Sequence, residues 1–139
     1  MVKPAVTRTR KPADSRAQPP VRKLHVCTYN IHKGFSQFKA RMMIHELRKR
    51  LHGLGPDIVF LQEVQGLHEG HAERHRDWPE AGQHDFLAEG VWPDTAYGGN
   101  AIYDHGHHGN AILSRFPILS SHNQDISELR FERRGMLHT

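Results

Sequence analysis

The sequence predicts a mixed α/β domain, on three observations: a strand–helix–strand opening between Leu24 and Leu61, a continuously apolar run that closes it, and two matching strand-like runs ten residues apart. In LHVCTYNI (24–31), Leu24, Val26 and Thr28 alternate with His25, Cys27 and Tyr29, a β-branched and aromatic pattern that Gly34 ends. FKARMMIHELRKRLHGLG (38–55) sets Phe38, Met42, Met43, Leu47, Leu51 and Leu54 at helical spacing. Lys39, Arg41, Arg48, Lys49 and Arg50 mostly face away, and Gly53, Gly55 and Pro56 stop the helix. Its basic outer face reads as a solvated helix surface. Asp57–Leu61 has the pattern of a strand covered on both faces, with Gln62 and Glu63 at its carboxyl end.

Residues 64–82 are polar, His-rich and aperiodic, the pattern of a long loop, and a short helix is expected over His84–Gly90. GNAIY (99–103) and GNAIL (109–113) read as paired strands joined by the turn DHGHH. Beyond Pro117, residues 118–126 and 134–139 supply two further strands.

The net charge of +4 divides unevenly. Residues 1–23 hold seven basic side chains against Asp14 alone, a charge of +6, so the other 116 residues carry −2. A nucleic-acid reading therefore rests on this arm, as weak non-specific contact, and not on the folded body. With four prolines in its first twenty residues, 1–21 is expected to be a disordered basic arm, and 22–139 the folded part. No stretch approaches the roughly 18 apolar residues of a membrane helix, and the leader lacks a secretory apolar run, so a cytoplasmic protein is expected. The single cysteine, Cys27, reads as a packed thiol.

Two polar residues stand at strand ends. Glu63 can anchor a hard cation, with Gln62 beside it to fix its rotamer, and Asn30 can orient a phosphate oxygen or a water. By pattern alone, Glu63 also fits a surface charge and Asn30 a turn former. The thirteen histidines, among them His68, His71, His75, His84, His105, His107 and His108, raise the alternative of a histidine-rich divalent-metal-binding protein without catalysis. No cysteine pairs support a closed metal site.

TYNIHKG (28–34), PDIVFLQEV (56–64), GNAILSRFPI (109–118) and ERRGML (132–137) together resemble, in order and separation, the endonuclease/exonuclease/phosphatase family of DNase I-like metal-dependent phosphoesterases. The resemblance spans residue 24 onward. It implies a four-layer α/β sandwich of two packed sheets, a Mg²⁺ (or Mn²⁺) ion, and water attack on a phosphodiester or phosphomonoester. The substrate would be a nucleic acid, a phospholipid head group or an inositol phosphate. Glu63 matches the family's metal-binding glutamate and Asn30 the asparagine beside metal and phosphate. Arg134 or its neighbour Arg133 matches a phosphate-side arginine. The resemblance places His107 and His108 at the cleft rim as phosphate or transition-state hydrogen-bond donors, with His105 in the turn. The family's later motifs, a GD-x-N pattern and a late Asp-His pair, do not occur within 1–139. About the first half of such a domain is therefore expected, with its inner sheet face wet and its catalysis impaired.

Overall fold

The computed structural model describes residues 23–34, 43–68, 82–103, 106–128 and 133–139; the arm 1–21, the predicted helix start at Phe38 and Met42, His71, His75 and His105 lie outside them. Strand β1 (Val26–Asn30) pairs in parallel with β2 (Ile58–His68), Val26 opposite Ile58 and Asn30 opposite Gln62. A parallel pair needs a crossover, and helix α1 (Ile44–Leu54) lies within the segment that makes it. The predicted opening is thus observed.

Helix α1 buries Ile44 and Leu51, with Leu47 packed beside them. The expected stripe holds at Leu47 and Leu51 but not at its ends: Ile44 in place of Met43 is fully buried, and Leu54 is 72% exposed. Spacings of three and four carry the buried stripe from Ile44 through Leu47 to Leu51, and Leu54 is the last residue before the cap. Gly55 closes the helix in the left-handed conformation (φ 58°), its N–H bonding Leu51 O at 2.9 Å.

Beyond β2, helix α2 (Gln83–Ala88) buries Leu87 and Ala88 against the same sheet face. Strands β3 (Asp94–Tyr103) and β4 (Gly106–Ser114) form the expected antiparallel pair, both longer than the sequence suggested. The sheet order is β1-β2-β4-β3. Val59, Leu61, Val64, Ala111 and Leu113 face the helices and form the core with Ile44, Leu51 and Trp92. Trp92 lowers the cost of its burial by donating its indole N–H to Pro56 O at 2.9 Å.

Two expectations about β2 are corrected. Residues 64–68 are strand, not loop. Val64 and Gln65 of this extension are buried, and buried Gln83 ties its backbone to the turn before α1: Gln83 Oε1 accepts the Gln65 N–H at 2.9 Å while its Nε2 donates to Lys33 O at 3.0 Å. The run 57–61 is also not covered on both faces. Phe60 points away from the helices and is 39% exposed.

The reason is the size of the second layer. Strands β5 (His122–Asp125) and β6 (Gly135–His138) pair antiparallel as a separate two-stranded sheet. This hairpin is tied to the β3–β4 side, where Asn110 Nδ2 donates to Gly135 O at 2.9 Å and Asn123 Nδ2 to Asn100 Oδ1 at 3.0 Å. Val26 on β1 stays 53% exposed. No helix among the described residues is long and apolar enough to cross a membrane.

Candidate active site

The site begins with an irregularity in β2. Leu61 pairs with Ala111 and Val64 with Gly109, so Gln62 and Glu63 together oppose the single residue Asn110. This is a β-bulge, and Glu63 sits in it with φ 53°. Regular alternation from Leu61 would send Glu63 into the helix-covered core. The bulge keeps both Leu61 and Val64 in that core and turns the carboxylate out. Glu63 thus lies inside a strand, not at its end as the apolar run suggested.

Asn30, the last residue of β1, holds that carboxylate: its Nδ2 donates to Glu63 Oε1 at 3.0 Å. Its Oδ1 accepts the His32 N–H at 2.9 Å, which starts a 3-10 turn over His32–Gly34. Gln62, expected to fix Glu63, instead donates to Thr28 Oγ1 at 3.3 Å. Pleat geometry explains this, since Gln62 and Thr28 point to the same sheet face on adjacent strands. On the other side of Glu63, His32 Nδ1 lies 3.8 Å from Oε2.

Asn30, Gln62, Glu63, Asn100, His108, Asn110, Arg133 and Arg134 line one cleft of about 490 Å³. Five of the six residues singled out from the sequence are therefore brought together. Burial holds the His108 imidazole below its ordinary pKa, the Lys33 charge adds to this, and Glu63 pulls the other way. His108 is accordingly neutral near pH 7, with one ring N–H and one ring acceptor. Arg133 approaches Asp125 at 3.5 Å, and Ser127 followed by Arg133 keeps that carboxyl below its usual range. The Arg134 backbone is fixed by Ser127: its N–H donates to Ser127 Oγ at 2.8 Å and its O accepts from Ser127 Oγ at 3.3 Å.

His107 is the residue that does not join. Its Nδ1 lies 2.8 Å from Tyr97 Oη on the helix-covered face, where Tyr97 stacks on His84 at 4.8 Å. Neighbouring residues of a strand face opposite ways, so His107 and His108 cannot share one cleft. DHGHHGN is therefore not one ligand cluster. Burial lifts the Tyr97 hydroxyl to about 12, against a backbone hydrogen bond at Gly66, and lowers the His84 pKa.

Sequence reasoning missed His32, Lys33, Asn100 and Asn110. The first two adjoin Asn30 in TYNIHKG, and the Asn-X-His spacing of a side-chain-capped turn is the signal that finds them. Nothing local marks Asn100, which is placed by β3–β4 pairing and the second sheet.

Among the described residues, no group of three or more His, Cys, Asp or Glu side chains gathers as a metal site. Glu63 nonetheless offers a carboxylate oxygen, Oε2, that Asn30 leaves open, on a side chain that is 41% exposed. One or two fixed carboxylates plus waters suit a hard cation such as Mg²⁺, so the residues fit as part of its ligand set.

The chain is similar to known proteins over this same region. It is 49% identical over 113 residues to the uncharacterized protein YbhP of Escherichia coli (strain K12), and as close to that of Shigella flexneri; the match covers 81% of this chain and 45% of each relative, so the chain spans about half their length. Its fold matches an endonuclease/exonuclease/phosphatase from Beutenbergia cavernae (TM-score 0.62, 23% identity, 82% of this chain and 33% of that one). It also matches a family protein from Leptotrichia buccalis (TM-score 0.59, 16% identity, 83% and 48%). These neighbours establish the DNase I-like α/β fold. A family model matches residues 27–137, a span that contains every residue lining the cleft, and on that match the chain belongs to the endonuclease/exonuclease/phosphatase family.

Proposed function

We propose that this chain carries the metal-anchoring and phosphate-facing half of a divalent-metal-dependent phosphoesterase, acting on a phosphodiester or phosphomonoester. The observation that carries the reading is the Asn30–Glu63 pair, in which a bulge turns a carboxylate out of the core and an amide holds it at 3.0 Å. Glu63 Oε2 would hold Mg²⁺ or Mn²⁺ together with Asn30, whose Nδ2 orients the carboxylate and whose Oδ1 has a second lone pair beside the one that accepts the His32 N–H. Such an ion, when bound, lowers the pKa of a water and offsets charge on phosphate oxygens.

The chain's own residues supply the remaining contacts. Neutral His108 donates one N–H to a phosphate oxygen, and Arg133 or Arg134 offers paired donors across the cleft. The substrate class is a phosphate ester of nucleic acid, of a phospholipid head group or of an inositol phosphate. The basic residues of 1–23 add weak, salt-dependent contact with polyanions. The resemblance assigns the general base to the later Asp-His motif, which does not occur within 1–139, so turnover by the 139-residue chain is expected to be slow.

The test is Mg²⁺- or Mn²⁺-dependent hydrolysis of aryl phosphate mono- and diesters, using the chain and a protein of its relatives' full length that carries the same residues. Glu63→Ala should lower turnover by roughly 100-fold or more, beyond the range of outer-shell metal-site losses. Unchanged turnover in that variant overturns the metal assignment.

A further inference from the structure

We propose that His32 is a further side-chain ligand to the ion held by Glu63, and that its imidazole biases the site toward a transition-metal ion such as Mn²⁺ over Mg²⁺. The proposal rests on the metal reading of Glu63 above and goes beyond it in naming a nitrogen ligand.

The first observation is the backbone. His32 (φ 48°) and Lys33 (φ 57°) both occupy the left-handed region, followed by Gly34 (φ 79°). Two consecutive non-glycine residues rarely hold this conformation, and it persists only where surrounding contacts over-determine it. Here they do. Ile31 is buried and its N–H bonds Gln62 O at 3.0 Å; Asn30 Oδ1 takes the His32 N–H; Gly34 N bonds Ile31 O at 2.8 Å; and buried Gln83 holds Lys33 O at 3.0 Å. Glu63, facing this turn, is left-handed as well. Two residues on unusual backbones thus present their side chains to each other.

The second observation is the distance. His32 Nδ1 and Glu63 Oε2 are 3.8 Å apart, too far for a hydrogen bond. Two ligand atoms sharing a cation at about 2.0–2.2 Å stand roughly 3.0–3.6 Å apart, so closing by less than about 1 Å seats an ion between them. Asn30 donates to Oε1, and Oε2 is the oxygen that approaches the ring. Imidazole suits Fe²⁺, Ni²⁺ and Zn²⁺ best; Mn²⁺ prefers oxygen as Mg²⁺ does, but as the first member of that transition-metal order it takes a ring nitrogen more readily than Mg²⁺, which keeps oxygen ligands and water. His108, which lines the cleft, comes from β4 on the far side of β2 from the turn.

The experiment is pulsed electron paramagnetic resonance of the 139-residue chain loaded with Mn²⁺, reading ¹⁴N modulation from a coordinated ring, alongside Mn²⁺ and Mg²⁺ affinities by calorimetry. Glu63→Gln defines the relevant ion as the one it removes, which sets aside ions held by the chain's other histidines. His32→Asn is the informative variant, because Asn tolerates the left-handed backbone, and circular dichroism checks its fold. The expected result is ¹⁴N modulation in the unsubstituted chain, lost in His32→Asn and kept in His108→Asn. Mn²⁺ affinity should fall by about tenfold or more in His32→Asn, with Mg²⁺ affinity little changed. A Glu63-dependent Mn²⁺ without ¹⁴N modulation, or with modulation that survives His32→Asn, overturns this proposal and leaves the Glu63 reading standing. Mn²⁺ binding indifferent to Glu63→Gln overturns both.

Discussion

At the scale of single residues, the two faces of the sheet treat their histidines alike for a shared reason: both His84 and His108 lose hydration when the chain folds, which disfavours the charged ring. For His84 the Asp85 carboxylate, 3.5 Å away, works against this, and burial wins. The folded chain therefore binds these protons less tightly than the unfolded chain. As pH falls below about 6.5, the unfolded state takes up protons first, and stability drops until the lowered folded pKa is passed. Thermal unfolding followed from pH 8 to 5 should show the melting temperature falling across that window. His84→Gln should flatten the fall, leaving the part due to His108; an unchanged slope would remove His84 as a source. Asn30 and Glu63 were legible in the sequence through the motifs TYNIHKG and PDIVFLQEV taken together, not through either position alone. The separation of His107 from His108 was not, since a turn and a strand allow opposite placements of the same two letters.

Elements carry the next level of specification. The bulge in β2 and the close approach of β3 to β4 are coupled through Gly109, which pairs with both Val64 and Gly99. A Cβ at Gly109 would run into the Gly98 carbonyl oxygen, a backbone atom that cannot swing aside. Replacing glycine by alanine ordinarily gains about 0.4–1 kcal/mol by restricting the unfolded chain, whereas overpacking costs about 1–3 kcal/mol. The clash should win. Gly109→Ala is expected to lower stability by about 1–2 kcal/mol, read as an earlier urea midpoint at unchanged slope. A later midpoint would show that the strands part easily and that the bulge is not held by this contact. Helix α1 was legible through its 3.6-residue stripe and Gly55, while the polar half of β2 was not, because its backbone is tied down by Gln83, eighteen residues beyond Gln65.

The whole molecule is covered unevenly. Helices α1 and α2 shield one face of the four-stranded sheet, while β5–β6 is tied to the β3–β4 half of the other, leaving Val26 and Phe60 in contact with water. Contiguous apolar surface of this kind drives association. The chain should bind a hydrophobic dye such as ANS in its folded state and self-associate with rising concentration. Phe60→Thr, which keeps a strand-forming residue, should reduce both; dye binding unaffected by the substitution would place the sticky surface elsewhere.

The sequence by itself determined the α/β class, the parallel β1–α1–β2 unit and the antiparallel β3–β4 pair, because periodicity is a local property, and it singled out Asn30 and Glu63 through the four-motif resemblance. Only the tertiary structure decided that Glu63 sits in a bulge, that Asn30 and not Gln62 holds it, that His32 faces it, and that His107 leaves the cleft. Each of those depends on which strand lies alongside which and in what register, and a register shift of one residue reverses every side chain.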